Sequence, residues 1–212
     1  EIVVLTYNYS CIGCLNAIHV LNTSGKDEWN KTFAYYAVRA PAVANLDNDN
    51  NLEIVVPTEQ DLDLADNPNP GPSNATIITY DGKTGNIEWT YRIDGYKMQS
   101  SPVILDIDND GELEVIFGAY DGLVRVLSKN GSLEWTENVS SYISETPAVG
   151  DIDGDGVAEI AVKHRAGIGQ LRPTGPKLWD APYVLNMSGE PHAVYIGEPT
   201  YTAELFGGGG FQ

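Results

Sequence analysis

Short apolar runs of strand character recur along the chain, each with the same kind of neighbours. One kind begins at a glutamate, as in Glu53-Ile-Val-Val and Glu114-Val-Ile-Phe, and a Pro-plus-apolar run stands a few residues before it. Another kind, rich in β-branched residues, precedes a glycine turn, and a tryptophan such as Trp89 follows that turn. Because no stretch carries sustained apolar positions at the spacing of a helix, the pattern predicts strands and little helix.

These runs form one repeating unit. Each unit offers a strand before an acidic segment, a strand after it, a third before the glycine turn and a fourth that ends at the tryptophan. Four short antiparallel strands in roughly 45 residues are the content of a β-propeller blade, so the fold class predicted is all-β. We expect the tryptophans to pack between neighbouring blades. The glutamates that mark the frame are Glu1, Glu53, Glu114, Glu159 and Glu204.

The repeat frame also predicts the domain organisation. Residues 1–212 are expected to form a single propeller array of four repeats plus part of a fifth. Both ends fall in mid-repeat, so we expect the chain to be a segment of a larger propeller. The second unit is the longest because of an Asp-, Pro- and Asn-rich insertion at 57–73, which is expected to leave the blade as an unpaired loop.

An alternating acidic motif stands between the first two strands of the units. It reads Asp-x-Asp-x-Asp, with Glu four residues later, at 106–114 and 151–159, and a third copy at 45–53 begins with Asn. Carboxylates on alternate residues of a tight loop converge on one point, where their charges repel each other unless a cation lies among them. A hard, oxygen-binding ion with flexible coordination fits such a loop best, and that ion is calcium.

The segments SPVILDIDNDGELEVIFGAYDG and TPAVGDIDGDGVAEIAVK resemble the FG-GAP (or VCBS) repeats of β-propellers such as those of integrin α-subunits. In that family the acidic loop is a calcium-binding hairpin, so the resemblance implies three calcium sites here. It implies side-chain ligands together with one backbone carbonyl per loop, from Asn51, Glu112 or Val157. The implied ligand sets are Asn45, Asp47, Asp49, Asn51 and Glu53; Asp106, Asp108, Asp110, Glu112 and Glu114; and Asp151, Asp153, Asp155, Val157 and Glu159.

The loop backbone and a second resemblance add to this picture. Gly111 and Gly156 stand where the loops need a left-handed backbone, and Asn50 is expected to adopt that conformation in the 45–53 loop. The segment at 80–89 resembles the strand-turn-strand element of quinoprotein-type (PQQ-like) propellers. That element is structural, so it implies no quinone cofactor.

Charge and glycosylation motifs indicate where the chain works. The formal net charge of −18 makes nucleic acids and anionic lipid surfaces poor partners. Millimolar calcium outside cells fills loops that are too weak for cytosolic calcium. We therefore expect an extracellular or cell-surface protein whose partners are other extracellular proteins, glycans or copies of itself, with no membrane insertion by this segment. Sequons for N-glycosylation are dense, at Asn8, Asn22, Asn30, Asn74, Asn130, Asn138 and Asn186.

The two cysteines, Cys11 and Cys14, stand close together in an insertion of the first unit. A local disulfide is the interpretation we favour, because the other signals indicate an extracellular chain. A zinc site would require two more soft ligands, and a redox pair would require a thioredoxin-like context. Free thiols are the remaining alternative.

Catalytic motifs are hard to find in this sequence. No nucleophile elbow, His-Glu-x-x-His helix or phosphate-binding glycine loop occurs, so we expect a non-catalytic propeller acting in adhesion, matrix or filament architecture. The alternatives are a carbohydrate-binding propeller and an enzyme, because the 151–159 region also resembles segments of rhamnogalacturonan lyases. Fold alone does not separate these functions. A lyase would need a basic cluster beside calcium, for which the chain offers Lys163, His164, Arg165 and Arg172.

Overall fold

A computed structural model describes residues 1–6, 16–33, 36–37, 39–60, 74–139, 142–151, 158–165 and 183–185. Every regular element in this part of the chain is a β-strand, and every strand pairing is antiparallel. The all-β prediction is confirmed. Among the described residues there is no helix with the length and apolar character needed to cross a membrane.

The strands form four successive units, which we call blades in chain order. The first blade contains β1 (Ile2–Thr6), β2 (Asn16–Leu21) and β3 (Asp27–Phe33). The second contains β4 (Tyr36–Ala37), β5 (Ala42–Ala44), β6 (Glu53–Gln60), β7 (Asn74–Asp81) and β8 (Ile87–Ile93). The third contains β9 (Val103–Leu105), β10 (Glu114–Gly118), β11 (Leu123–Leu127) and β12 (Leu133–Asn138). The fourth contains two small sheets: β13 (Tyr142–Ile143) pairs with β16 (His164–Arg165), and β14 (Ala148–Gly150), β15 (Glu159–Val162) and β17 (Tyr183–Leu185) pair in that order.

The third blade shows the four-stranded plan in its simplest form. Its strands pair in chain order, β9-β10-β11-β12, so that each strand lies beside the next one in the sequence. The second blade follows the same order from β6 to β8, and both β4 and β5 pair with the edge of β6 that faces away from β7. The prediction of propeller blades built from four antiparallel strands is confirmed by these two blades.

The core lies in layers between the blades, because successive residues of a strand point to opposite faces of the sheet. In β6, Val55 belongs to a cluster shared with the third blade, whereas Ile54 and Val56 belong to a cluster shared with the first blade. In β10, Val115 packs towards the second blade and Ile116 packs in the cluster that includes the fourth blade. The second and third blades are therefore each held by both of their neighbours.

The three tryptophans among the described residues lie between neighbouring blades, as the sequence predicts, and Trp179 lies outside the described residues. Trp29 of the first blade donates its indole N–H to the backbone oxygen of Gly82, 2.6 Å away in the turn of the second blade. Trp89 makes the equivalent bond, 2.9 Å long, to the backbone oxygen of Lys129 in the turn of the third blade. Trp135 packs at the edge of the cluster that the third and fourth blades share.

The turn that receives each tryptophan requires glycine. Gly85 and Gly131 have positive φ angles of 68° and 79°, which L side chains rarely adopt. A Cβ atom at Gly85 would lie 2.7 Å from the Trp29 ring, and one at Gly131 would lie 2.5 Å from the Trp89 ring. Glycine is therefore fixed at these positions both by backbone conformation and by the close approach of the ring.

Two expectations about strand limits are wrong. The fourth strand does not end at the tryptophan, which is the third residue of β3, β8 and β12, because pairing with the preceding strand continues to Phe33, Ile93 and Asn138. The insertion at 57–73 is also paired in part, since β6 extends to Gln60 and Pro57 lies opposite Ile77. Proline is tolerated there because β5 pairs with β6 only as far as Val55, and β4 pairs with it only from Thr58 onwards. The edge of β6 that faces away from β7 therefore has no partner at Pro57.

Candidate metal centres

The 45–53 loop closes the hairpin of β5 and β6, whose last and first residues, Ala44 and Glu53, are paired. Within the loop, the Asp47 carboxylate accepts the N–H of Asp49 at 3.0 Å, and the Asp49 carboxylate accepts the N–H of Asn51 at 2.5 Å. These bonds fold the acidic residues inwards. One carboxylate oxygen from each of Asp47, Asp49 and Glu53 lies within 4.8 Å of the others.

Two oxygen atoms of this loop are buried without a hydrogen-bond partner. Glu53 is 0% exposed, and while its Oε2 accepts the N–H of Leu46 at 2.5 Å, its Oε1 has no partner. Asn45 donates from Nδ2 to the backbone oxygen of Asp49 at 2.6 Å, and its buried Oδ1 also has no partner. A buried oxygen without a partner is costly, and a cation in the loop would supply the missing contact to both atoms.

The 106–114 loop repeats this arrangement in the third blade. Glu114 is 2% exposed, starts β10 opposite Leu105 and accepts the N–H of Ile107 at 2.9 Å. One carboxylate oxygen from each of Asp106, Asp108 and Glu114 lies within 4.8 Å of the others. Asp110 is not part of this group; its Oδ1 accepts the N–H of Glu112 at 2.8 Å, as Asp49 accepts that of Asn51 in the other loop.

The backbone of these loops corrects one expectation. Gly111 has the left-handed conformation that was expected, with φ at 89°. Asn50 does not adopt it; the non-glycine residues with positive φ are Asn48 at 63° and Asn109 at 62° among the described residues. Both follow the second Asp of the motif. Asparagine tolerates this conformation better than most residues, so its presence at the same position in both loops is the signal that sequence reasoning missed.

The electrostatics of the loops oppose ionised glutamates unless a cation is present. Burial raises the pKa of Glu53, and the Asp47 carboxylate adds to that effect against the hydrogen bond from Leu46. Burial likewise raises the pKa of Glu114 to about 7, against the hydrogen bond from Ile107. A bound dication acts in the opposite direction and favours the charged forms. The clusters are therefore able to hold metal ions.

The 151–159 loop is described only at its ends. Gly150 pairs with Glu159, which closes the hairpin of β14 and β15 in the same way as in the other two loops. Glu159 is 1% exposed and Asp151 is exposed. The remaining expected ligands, Asp153, Asp155 and Val157, and the expected turn residue Gly156, lie outside the described residues.

Two acidic residues outside the motif also approach the 45–53 loop. One carboxylate oxygen from each of Asp81 and Glu88 lies within 4.8 Å of the other and of one oxygen of Glu53. Partial desolvation of its carboxyl group raises the pKa of Glu88 to about 7, and the charge of Glu53 adds to this effect. The sequence signal for Glu88 is a Glu-Trp dipeptide that recurs at 28–29, 88–89 and 134–135.

The other candidate residues are distributed over the surface. Of the sequon asparagines, Asn30, Asn130 and Asn138 are exposed. Asn22 and Asn74 are half-buried and use their side-chain oxygens as acceptors, from Ser24 and Gly95 among others. Lys163 is exposed beside β16, the strand of His164 and Arg165. The cysteines Cys11 and Cys14, the sequons at Asn8 and Asn186, and Arg172 lie outside the described residues.

Solved structures with a related arrangement include three bacterial proteins. The V. cholerae biofilm matrix protein Bap1 is 20% identical, with 89% of this chain and 34% of that chain covered and a TM-score of 0.45. The quinohemoprotein alcohol dehydrogenase ADHIIG from Pseudomonas putida HK5 is 11% identical, with 78% and 34% covered and a TM-score of 0.48. A protein of unknown function from Bacteroides caccae is 15% identical, with 84% and 54% covered and a TM-score of 0.41.

The chain spans about a third of the length of the first two of these proteins. Their TM-scores are below 0.5, so we draw nothing about function from these likenesses. Among curated proteins, none has a sequence that matches this chain. A family model does match, and it covers the 106–114 loop, the whole of β10 to β12 and the chain as far as Val162 at the end of β15. Residues 106–162 are an FG-GAP-like repeat, which confirms for this part of the chain the resemblance seen in the sequence.

Proposed function

We propose that this chain is a non-catalytic, calcium-stabilised propeller segment that works outside the cell, in adhesion, matrix or filament architecture. Calcium binds in the hairpin loops at 45–53, 106–114 and 151–159 and holds the first two strands of each blade together. The rigid blades then present their outer loops to other extracellular proteins, to glycans or to further copies of the same chain.

The observation that carries this proposal is the buried, unpartnered Oε1 of Glu53 beside Asp47 and Asp49. A carboxylate that is 0% exposed and surrounded by like charges is unfavourable without a counter-charge. In a second blade, Asp106, Asp108 and Glu114 also bring three carboxylates together. Convergence of acidic residues around the buried anchor glutamate in two hairpins favours a shared ligand over an accident of packing.

Calcium fits this donor set better than the other common cations. Every candidate side-chain donor is an oxygen atom, which disfavours zinc and copper. Magnesium requires near-ideal octahedral geometry and keeps several of its waters, whereas calcium accepts six to eight oxygens in irregular loops. The left-handed Asn48 and Asn109 give these loops the tight, irregular course that calcium tolerates.

An extracellular location is supported by charge and by the accessibility of the sequons. Asn30, Asn130 and Asn138 are exposed, so a glycan attached at these residues would meet no steric obstacle from burial. The net charge of −18 keeps a surface protein soluble and disfavours binding to nucleic acid. Millimolar calcium outside cells would keep even weak loops filled.

Calcium removal and restoration test the proposal. Each loop filled at about 100 times its Kd contributes about 2.7 kcal/mol, so three filled loops contribute about 8 kcal/mol, and chelation should lower the Tm of the full chain by on the order of 15–30 °C. Added calcium should restore the Tm, whereas equimolar magnesium should not. An unchanged Tm after chelation would show that the loops hold no stabilising ion. Release of unsaturated sugars from rhamnogalacturonan would instead identify the chain as a lyase.

A further inference from the structure

The three Glu-Trp glutamates occupy the same special position in their blades. In the second blade, Ile87 pairs with Tyr80 and Trp89 pairs with Thr79, so Glu88 is the extra residue of a β-bulge. The register shifts at the equivalent step in the first and third blades, where Glu28 and Glu134 are the extra residues. A bulge redirects a side chain away from the regular alternation of the strand. In the second blade this places Glu88 beside the 45–53 loop.

A second acidic residue reaches the same place from the end of β7. Asp81 is the register partner of Glu53, so the two residues lie side by side on neighbouring strands. Asn51 connects Asp81 to the loop, since its Nδ2 donates to Asp49 Oδ2 at 3.0 Å and to Asp81 Oδ2 at 3.2 Å. The loop and the outer hairpin of this blade therefore meet at Glu53.

The five carboxylates divide into two groups that share only Glu53. Calcium binds oxygen at 2.3–2.6 Å, so the ligands of one ion lie within about 5 Å of each other. Asp47 and Asp49 satisfy this condition with Glu53, and Asp81 and Glu88 satisfy it with Glu53, but the five do not form one group among the described residues. This geometry fits two neighbouring ions joined by a bridging carboxylate and does not fit one ion with five carboxylate ligands.

Glu53, which also carries the argument for the loop ion, provides a sign beyond the spacing of the carboxylates that a ligand belongs there. Its side chain is 0% exposed, its Oε2 is held by the N–H of Leu46, and its Oε1 lacks a partner. An ionised carboxylate offers about four lone-pair sites on its two oxygens, so it is able to keep the Leu46 bond while it binds two ions. Two dications among five carboxylates would also leave a local charge of only about −1.

We propose that Glu53, Asp81 and Glu88 hold a second divalent cation in the second blade, with Glu53 bridging it to the ion of the 45–53 loop. The inference rests on the calcium loops proposed above, because Glu53 serves both ions. It goes beyond them, since Asp81 and Glu88 lie outside the acidic motif, on the opposite hairpin of the blade. The second ion would therefore link β6, β7 and β8, and the loop ion would link these strands to β5.

The third blade lacks the equivalent group, which makes it an internal control. The position of Asp81 is occupied by Ser128. Val115 pairs with Leu127, so Ser128 is the next residue along and stands opposite Glu114, as Asp81 stands opposite Glu53. The next residue is Lys129 in place of Gly82, and its ammonium group lies 2.5 Å from Glu112 Oε1. Glu134 is thus next to the 106–114 loop but is not part of a three-carboxylate group among the described residues.

Counting bound calcium in the full chain tests the second ion. The wild-type chain and its variants are dialysed to equilibrium against calcium, and calcium per chain is measured by elemental mass spectrometry. Glu88→Gln and Asp81→Asn should each bind one calcium fewer than the wild type. Glu134→Gln, the matched change in the third blade, should bind as many as the wild type. Glu88 is exposed, so its variant should fold normally, and a circular dichroism spectrum checks this.

The possible results separate the two proposals. If Glu88→Gln binds as much calcium as the wild type, a proton rather than a cation neutralises Glu88 and the second ion is wrong, while the loops stand. If Glu134→Gln also loses one ion, the claim that only the second blade holds a second ion is wrong. Asp81 is then not required as a ligand, because the third blade has Ser128 at that position. If the wild-type chain binds no calcium, both the loops and the second ion are wrong.

Discussion

The second and third blades carry the same acidic hairpin in different surroundings. In both, a glutamate at the start of the second strand is buried and accepts the N–H of the residue that follows the first ligand, Leu46 or Ile107. The two differ in what the outer hairpin presents to that glutamate. Glu53 faces Asp81 and Glu88, whereas the hairpin beside Glu114 presents Ser128, Lys129 and Glu134.

This difference teaches that the motif alone does not set the charge of a site. Asp81 and Glu88 make the second blade more acidic at Glu53, whereas Lys129 brings an ammonium group to the third blade. The hydrogen bond to Glu112 raises the pKa of Lys129, so its charge is retained. A fixed cation from the protein in one blade and a bound cation in the other would be two solutions to the same repulsion.

The anchor glutamates give the largest expected effect and the most direct test of the comparison. In calcium, Glu53→Gln should lower the free energy of unfolding by about 5 kcal/mol, because it weakens two ions, and Glu114→Gln by about 3 kcal/mol, because it weakens one. In chelator the sign of the change should reverse. Both variants should be more stable than the wild type, since each removes a buried charge from a cluster of like charges. Urea unfolding in the two buffers measures both differences.

The control for this pair is Glu145→Gln, an exposed glutamate outside all of the loops, which should change stability little in either buffer. Equal losses for Glu53→Gln and Glu114→Gln in calcium would contradict the difference between the blades. Losses that persist unchanged in chelator would show that the glutamates act through hydrogen bonds alone.

The tryptophan-receiving turns should behave alike in the two blades, with the next largest effect. Gly85→Ala and Gly131→Ala should each destabilise the chain by roughly 3 kcal/mol, through a left-handed residue and a clash with the indole ring. Gly25→Ala is the matched control, since Gly25 has φ of 75° but has no atom within 4 Å of an added Cβ, and should cost only about 1 kcal/mol. Thermal unfolding in calcium measures all three variants.

The outcome separates packing from backbone conformation. If all three alanine variants lose the same stability, the tryptophan contact contributes nothing and only the left-handed backbone matters. If Gly85→Ala and Gly131→Ala differ strongly from each other, the two interfaces between blades are not equivalent, and the likeness of the blades would be limited to their strands.

Much of this architecture follows from the sequence because the unit repeats. The glutamate before an apolar run starts β6, β10 and β15, and the acidic motif lies in the hairpin before each of these strands. Trp29 and Trp89 are found between blades because glycine turns and tryptophans keep a constant spacing, which places each of these two rings over the turn of the next blade. Repetition turned local patterns into a prediction about packing.

Other features depend on register, which composition does not reveal. Glu88 reaches Glu53 only because the bulge opposite Thr79 and Tyr80 turns it, and a bulge depends on how the turn fits the two strands. Pro57 lies within β6 because neither β4 nor β5 extends to face it. The left-handed Asn48 and Asn109 arise from the course of the loop between its ligands. Each of these features is set by pairing across the blade and not by the residue itself.

Lys129→Met gives the smallest expected effect and tests the difference between the blades from the other side. The variant removes the ammonium group beside Glu112 and keeps most of the apolar stem. The 106–114 loop should then bind calcium more tightly, by about threefold at low salt, because one repulsive charge at several ångströms is lost. Calorimetric titration of the full chain at low and high salt measures this gain in calcium affinity, which should shrink as salt rises.

The matched change in the second blade, Lys83→Met, removes an exposed lysine from the same turn region. If both variants gain the same calcium affinity, general surface charge explains the effect and the position of Lys129 beside Glu112 is not what matters. If Lys129→Met weakens binding instead, the lysine orders Glu112 for its role in the loop, and the idea that it replaces a cation is wrong.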